Sequence, residues 1–277
     1  MSFHKIKRRP TLAEEVSAQI KESILGGEYP AGQALPTEPE LSEQFGVSRA
    51  VIRDAVRMLS AQGLIDVQHG RGMFVTASLI DWFAESLYTT LRREGANVWD
   101  VEQFEELFYP RICALAAEHI TEKQGTELRE AAEEYIRLLD EINRLYADRK
   151  EIPPEGAELE ERLWSADRRF YDLIFSASGN KLLRILGMST LALRNFRYVS
   201  GSEEHSRHLL ELEKEHMRRL AERIAAGDSQ GAASLAYRAH YHSRDMVDIM
   251  QQTPIGEKPT IPYETIIAAL EEAGGQP

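Results

Sequence analysis

Apolar residues recur every three or four positions along most of this chain, which predicts a protein built mainly of helices. Leu12, Val16, Ile20 and Ile24 form the first stripe, with Thr11 as its N-cap and Gly26-Gly27 as its stop. Glu28–Leu35 carries Pro30 and Gly32 and reads as a loop. Thr37, Glu38, Pro39 and Glu40 then have capping-box spacing with a proline in the first turn, a strong helix start. Leu41 and Phe45 give this second helix its apolar side, and Gly46 ends it. Ser48 caps a third helix running to about Gln62. The period then changes: Leu64–Val67 and Met73–Thr76 alternate like two short strands around Gln68-His69-Gly70-Arg71-Gly72.

From about Ile80 to Met250 the helical period returns. It predicts helices near 80–94, 99–119, 122–147, 158–178, 180–199, 204–226 and 229–251, with stripes such as Phe104, Leu107, Phe108, Ile112 and Leu115. Gly179-Asn180 and Gly227-Asp228 punctuate helix ends. Arg149–Gly156 reads as a polar loop, and Thr253–Pro262 as a linker to a short helix at Tyr263–Glu272, whose stripe is Ile266, Ile267 and Leu270. The fold expected is mainly α: three helices and a β-hairpin wing, followed by an all-α antiparallel helical bundle. The domains expected are residues 1–78, 79–251 and a tail at 252–277.

The third helix carries two stripes. Ile52, Val56 and Leu59 face a core; Arg49, Arg53 and Arg57 lie roughly 90° away by the helical period. Arginine suits bidentate contact with guanine in the major groove and also binds phosphate. Arg49 stands at the helix N-terminus, where Ser48 and free backbone N–H groups would hold a phosphate. Gly70 and Gly72 let the hairpin tip approach DNA, and His69 and Arg71 would contact backbone or minor groove. A capped helix, a tight turn, an arginine-striped helix and a basic hairpin, in this order, describe a device for reading duplex DNA.

The net charge of −12 argues against that device until it is resolved along the chain. Residues 1–76 hold nine Lys/Arg and nine Asp/Glu, so the acidic excess belongs to the helical remainder. That remainder would repel phosphate and leave docking to the N-terminal part. The 277 residues suffice for two cores, and no apolar run has membrane-spanning length. The basic N-terminus lacks an apolar stretch, so no secretory signal is expected. Cys113 is the single cysteine, which rules out an internal disulfide and suits a reducing cytoplasm.

The first 76 residues resemble the winged helix-turn-helix domain of the GntR family of bacterial transcription regulators. The matching motifs are Leu35-Pro36-x-Glu38-x-Glu40-Leu41-Ser42, Gly46-Val47-Ser48-Arg49, Arg53-x-Ala55-Val56-x-x-Leu59, Gly63-Leu64-Ile65 and His69-Gly70-x-Gly72-x-Phe74-Val75. The resemblance implies DNA contacts from Arg49, Arg53, His69 and Gly70, with Arg71 at a commonly basic wing position. Many members have arginine where this chain has Pro39, so one expected contact is missing.

The helical part resembles the FCD effector domain of the FadR subfamily. The resemblance rests on Leu115-Ala116-Ala117, on Asp167-x-x-Phe170 leading to Ala177-Ser178-Gly179-Asn180, and on Glu215-His216, Gly227-Asp228 and His240. It implies a homodimer that binds a palindromic operator in duplex DNA, works in the bacterial cytoplasm at the nucleoid, and represses by default. It also implies a small-molecule effector, a carboxylate or an acyl-CoA, near Asp167, Tyr171, Arg194, His216 and His240.

Metal-binding FCD domains use one Asp and three His. Here Asp167, His216 and His240 are the candidate ligands for zinc or nickel, with His242 a rival to His240. Tyr171 stands where the first His belongs. Glu105 and Tyr109 replace an Arg and a Glu expected before Leu115, and Arg111, Arg194 or Arg197 would have to substitute for that Arg. A metal site, a plain polar cavity and plain helix-packing histidines therefore all stay open. No catalytic residue is assigned and no enzyme is expected. The alternatives are a constitutive DNA-binding protein whose helical domain only dimerises, and a metal-dependent enzyme.

Overall fold

The computed structural model describes residues 10–146, 154–193, 198–200 and 203–274. The chain folds as two compact units, residues 1–83 and 84–277.

In the first unit, α1 (Leu12–Leu25) starts at a reciprocal capping box in which the Glu14 carboxylate accepts the Thr11 backbone N–H at 2.7 Å. The same device starts α2 (Glu38–Phe45), where Glu40 accepts both the N–H and the hydroxyl of Thr37 at 2.7 and 2.8 Å. Gly46 ends α2 in a left-handed conformation, φ 65°, that a side chain would resist. The Ser42 hydroxyl donates to the Val47 carbonyl across that turn. Helix α3 (Arg49–Ala61) then buries Ile52, Ala55, Val56 and Leu59 against Val16, Ile20 and Leu41, the expected core stripe.

The hairpin pairs β1 (Ile65–Gln68) with β2 (Gly72–Val75), antiparallel, with Ile65 opposite Val75 and Gln68 opposite Gly72. Its strands lie within one residue of the expected ones. The Leu35 N–H donates to Met73 and the Val75 N–H to Gln33, and Ala34 bridges Phe74, so part of the expected 28–35 loop lines the wing as a third extended segment.

The second unit comprises α4 (Leu79–Arg93, which begins in the first unit), α5 (Val98–His119), α6 (Glu122–Tyr146), α7 (Pro154–Ala177) and α8 (Lys181–Leu191). Then follow β3 (Tyr198–Ser200), α9 (Glu203–Ala225), α10 (Ser229–Ala239), α11 (Arg244–Gln251), β4 (Thr260–Pro262) and α12 (Tyr263–Glu272). Helix α5 is the hub, packed by α7, α8, α9, α10 and α11, while α6 packs on α7 and α9.

Several expectations change. Leu107 is 70% exposed and Phe108 41% exposed, because α5 turns Val101, Tyr109, Ile112, Cys113 and Ala116 toward its neighbours instead. The helix expected over 180–199 ends at Leu191. The helix expected over 229–251 is two helices: His240 ends α10, Ser243 occupies the N-cap position of α11, and the chain between them turns the imidazoles of His240 and His242 inward. The apolar period continues across this break because α10 and α11 both pack on α5. Of the loop expected at Arg149–Gly156, part lies outside the described residues; Pro154 already opens α7, where a missing N–H is no loss.

The tail is built into this unit. The Val98 N–H donates to Thr253 and the Ile255 N–H to Ala96, and β4 pairs in parallel with β3, Val199 opposite Ile261. Ile261 and Ala269 bury with Met246 and Met250, and Ile266 packs against them. Gly256 lies so close to Tyr88 of α4 that an added Cβ would overlap the phenol.

Candidate functional site

The residues expected to contact DNA lie on α3 and the hairpin of the first unit. Arg49 is exposed at the start of α3, where the Ser48 hydroxyl caps the helix by accepting the Val51 N–H. Arg53 donates through Nε to Glu38 of α2 at 2.9 Å, and Arg57 donates to Asp54 at 3.2 Å. Two of the three arginines are therefore held by acids of their own domain. Both pairs are largely exposed, so they orient the side chains at little energetic gain.

At the wing tip, Gly70 and Gly72 have φ of 73° and 110°, which favours glycine there. His69 and Arg71 stand exposed at this tip, and the Arg71 guanidinium lies 5.8 Å from the Phe74 ring centre. Pro39 occupies the first turn of α2 and offers no charge.

The second unit contains a cavity of about 760 Å³, a size that suits a small metabolite. Asp167 and Tyr171 of α7, His216 of α9 and His240 at the end of α10 all line it. The structure thus gathers four of the five expected pocket residues; Arg194 and Arg197 lie outside the described residues. Arg111 pairs with Glu118 on the exposed side of α5. The arginines on the cavity wall are Arg219 and Arg238 among the described residues.

Sequence reasoning also missed Glu102, Tyr135 and Glu213. The Tyr135 hydroxyl donates to the Glu213 carboxylate at 2.5 Å. Burial, and then the charge of Glu213, push the Tyr135 phenol far above its ordinary range, so it remains a neutral donor. Tail residues Ile255, Gly256, Pro259 and Leu270 close part of the wall.

Tyr171 sits among aromatic rings, 5.7 Å from Tyr109 and 6.0 Å from Phe175 between ring centres. Its place in that cluster, and the weak affinity of a neutral phenol for a divalent ion, do not fit the one-Asp, three-His set of metal-binding FCD domains.

The donor atoms that do converge are those of Glu102, Glu105 and His240, all within 4.8 Å of one another; among the described residues Asp167 and His216 join no such group. Asp167, His216 and His240 thus share the cavity without bringing their donor atoms within 4.8 Å of one another. His240 turns toward α5 instead, its Nδ1 3.9 Å from Glu105 Oε2, and Tyr109 packs edge-on against its ring. His242, the rival, places Nε2 3.3 Å from Glu102 Oε2 and meets Trp99 edge-on. The signal that could have found Glu102 and Glu105 is their spacing. They lie three residues apart and in phase with Val101 and Tyr109 on the buried face of α5.

Residues 12–75 match the model of the bacterial regulatory proteins of the gntR family, and residues 104–243 match the FCD domain. The HTH-type transcriptional regulator Mce2R of Mycobacterium tuberculosis is 27% identical over 248 residues, 85% of this chain and 91% of that protein. The HTH-type transcriptional repressor NanR of Salmonella bongori is 29% identical over 145 residues, 50% of this chain and 55% of that one. A solved structure of Streptococcus agalactiae GntR shares the fold, with a TM-score of 0.51 at 24% identity over 82% of this chain and 97% of that one. No helix among the described residues is long and apolar enough to cross a membrane. The chain belongs to the GntR family, in the branch that carries an FCD domain, and is a transcription regulator with a DNA-binding winged helix-turn-helix and an FCD effector domain.

Proposed function

We propose that this protein is a homodimeric repressor of the bacterial cytoplasm, bound at the nucleoid to a short palindromic operator and controlled by a small metabolite. The cavity of about 760 Å³ carries this reading, because Asp167, Tyr171, His216 and His240 all line this one space in the FCD domain. A constitutive DNA-binding protein would have no use for such a space. Arg219 and Arg238 would supply the positive charge for a carboxylate, and the apolar wall formed by Trp164, Leu191, Leu212 and Leu235 would receive a hydrocarbon or acyl arm.

Ser48, Arg49, Arg53, Arg57, His69, Gly70 and Arg71 would contact DNA: arginines of α3 in the major groove, the wing along the backbone or in the minor groove. Two copies related by a two-fold axis would read two half-sites. The ligand would shift operator affinity by as much as it prefers one arrangement of the paired winged domains. The repressor sense takes support from the name of NanR.

The test is a thermal-shift screen of carboxylates, sugar acids and acyl-CoAs on the full chain. Hits are then titrated against a duplex selected from random sequence. The expected result is a palindromic selected site whose affinity a stabilising compound changes at least tenfold. Operator binding unmoved by every stabilising compound would leave the constitutive reading in place.

A further inference from the structure

We propose that Glu102, Glu105 and His240 form a binding site for a divalent transition-metal ion, with a ligand set different from the Asp and His set of metal-binding FCD domains. The proposal stands whether or not the cavity takes a metabolite.

The first observation is convergence. One donor atom from each residue lies within 4.8 Å of the others, and the three come from two directions, two from α5 and one from the end of α10. Ligands about 2.0–2.2 Å from one ion lie roughly 3–4 Å from each other. The 3.9 Å between His240 Nδ1 and Glu105 Oε2 falls in that range and is too long for a hydrogen bond.

The second observation is burial. Glu102, Glu105 and His240 are 6%, 4% and 6% exposed, so this is not a solvated acidic surface. A divalent ion held between two such buried carboxylates would be shielded from competing solvent and would balance their charge.

The third observation is support. His242 stands 3.3 Å from a Glu102 oxygen, and its side chain is fully buried against Trp99. A neighbour that orients a ligating carboxylate is a regular part of metal sites.

Two carboxylate oxygens and one imidazole nitrogen suit Zn²⁺ or Mn²⁺. Glu102 and His240 also line the cavity. The break between α10 and α11 acquires a use here, since a continuous helix would not turn both His240 and His242 toward α5.

The experiment uses the full chain, stripped with a chelator and dialysed against Zn²⁺ or Mn²⁺. Bound metal is counted by mass spectrometry, and affinity is read by competition with a chromophoric chelator. One ion per chain is expected in the parent protein and in Asp167→Asn. Affinity should fall at least ~100-fold in Glu105→Gln and His240→Gln. Circular dichroism of the metal-free variants checks that they fold.

X-ray absorption of the zinc-loaded parent needs no variant, and should show one imidazole with oxygen ligands. Three outcomes would overturn the proposal. They are no stoichiometric metal in the parent, loss in Asp167→Asn with retention in Glu105→Gln, and a spectrum with two or more imidazoles.

Discussion

Glu38 on α2 holds the Nε of Arg53 on α3 at 2.9 Å. This leaves the two terminal nitrogens of Arg53 as a fork able to meet a guanine or a phosphate, and places a negative charge beside α3. Glu38→Gln weakens the orientation and removes a charge that repels phosphate. Affinity for random duplex should rise, and the ratio of operator to random-duplex affinity should fall several-fold. Fluorescence anisotropy at two salt concentrations measures both. An unchanged ratio would mean that Glu38 does not position Arg53 for reading.

Arg49 has no ion-pair partner among the described acids, unlike Arg53 and Arg57. Arg49→Ala should therefore remove a base contact with little change to the fold, at about 1–3 kcal/mol of operator binding. Competition between operator and scrambled duplex is the measurement, and retained discrimination would exclude Arg49 from base reading.

The Glu40 carboxyl is held below its ordinary value of 4.5, first by the Thr37 backbone N–H and then by the Thr37 hydroxyl. A carboxyl depressed on folding stabilises the fold above its unfolded value, and that contribution fades as pH falls through the lower folded value. Glu40→Gln should lower the melting temperature of the winged unit at pH 7. The gap to the parent should close below pH 4.5, as Glu40 becomes protonated. A gap that is constant from pH 7 to pH 3 would show that the carboxylate charge is not what the cap uses.

Gly63 follows α3 with φ 71°, and an added Cβ there would overlap the indole of Trp82. Gly63→Ala thus meets two penalties, about 1–2 kcal/mol for the left-handed backbone and a further term for the overlap. Calorimetry should show a fall in melting temperature of the winged unit that Trp82→Ala partly reverses. The overlap can be relieved by removing the indole, whereas the backbone strain cannot. An additive double variant would contradict the contact.

Local rules made the winged unit legible. Thr37 with Glu40, Gly46, and Ser48 before Arg49 each act within a few residues, so sequence spacing determines the result. The second unit was less legible because its decisive contacts are distant. Glu102 meets His242 and Tyr135 meets Glu213 across the bundle, at separations no local pattern encodes. The break at His240–Ser243 was hidden for a related reason, since two helices packed on one neighbour keep one apolar period. Motif alone pointed to Asp167, Tyr171, His216 and His240, which line one cavity, but did not encode the approach of His240 Nδ1 to Glu105 on α5.

The match to the FCD domain ends at residue 243, but Ile255, Gly256, Pro259 and Leu270 form part of the cavity wall. The shape of that space is thus written in two stretches of chain that can diverge independently. A chimera carrying residues 104–243 alone would inherit the helical frame without the full contour of the cavity. A relative sharing that frame but differing after it would hold a space of another shape.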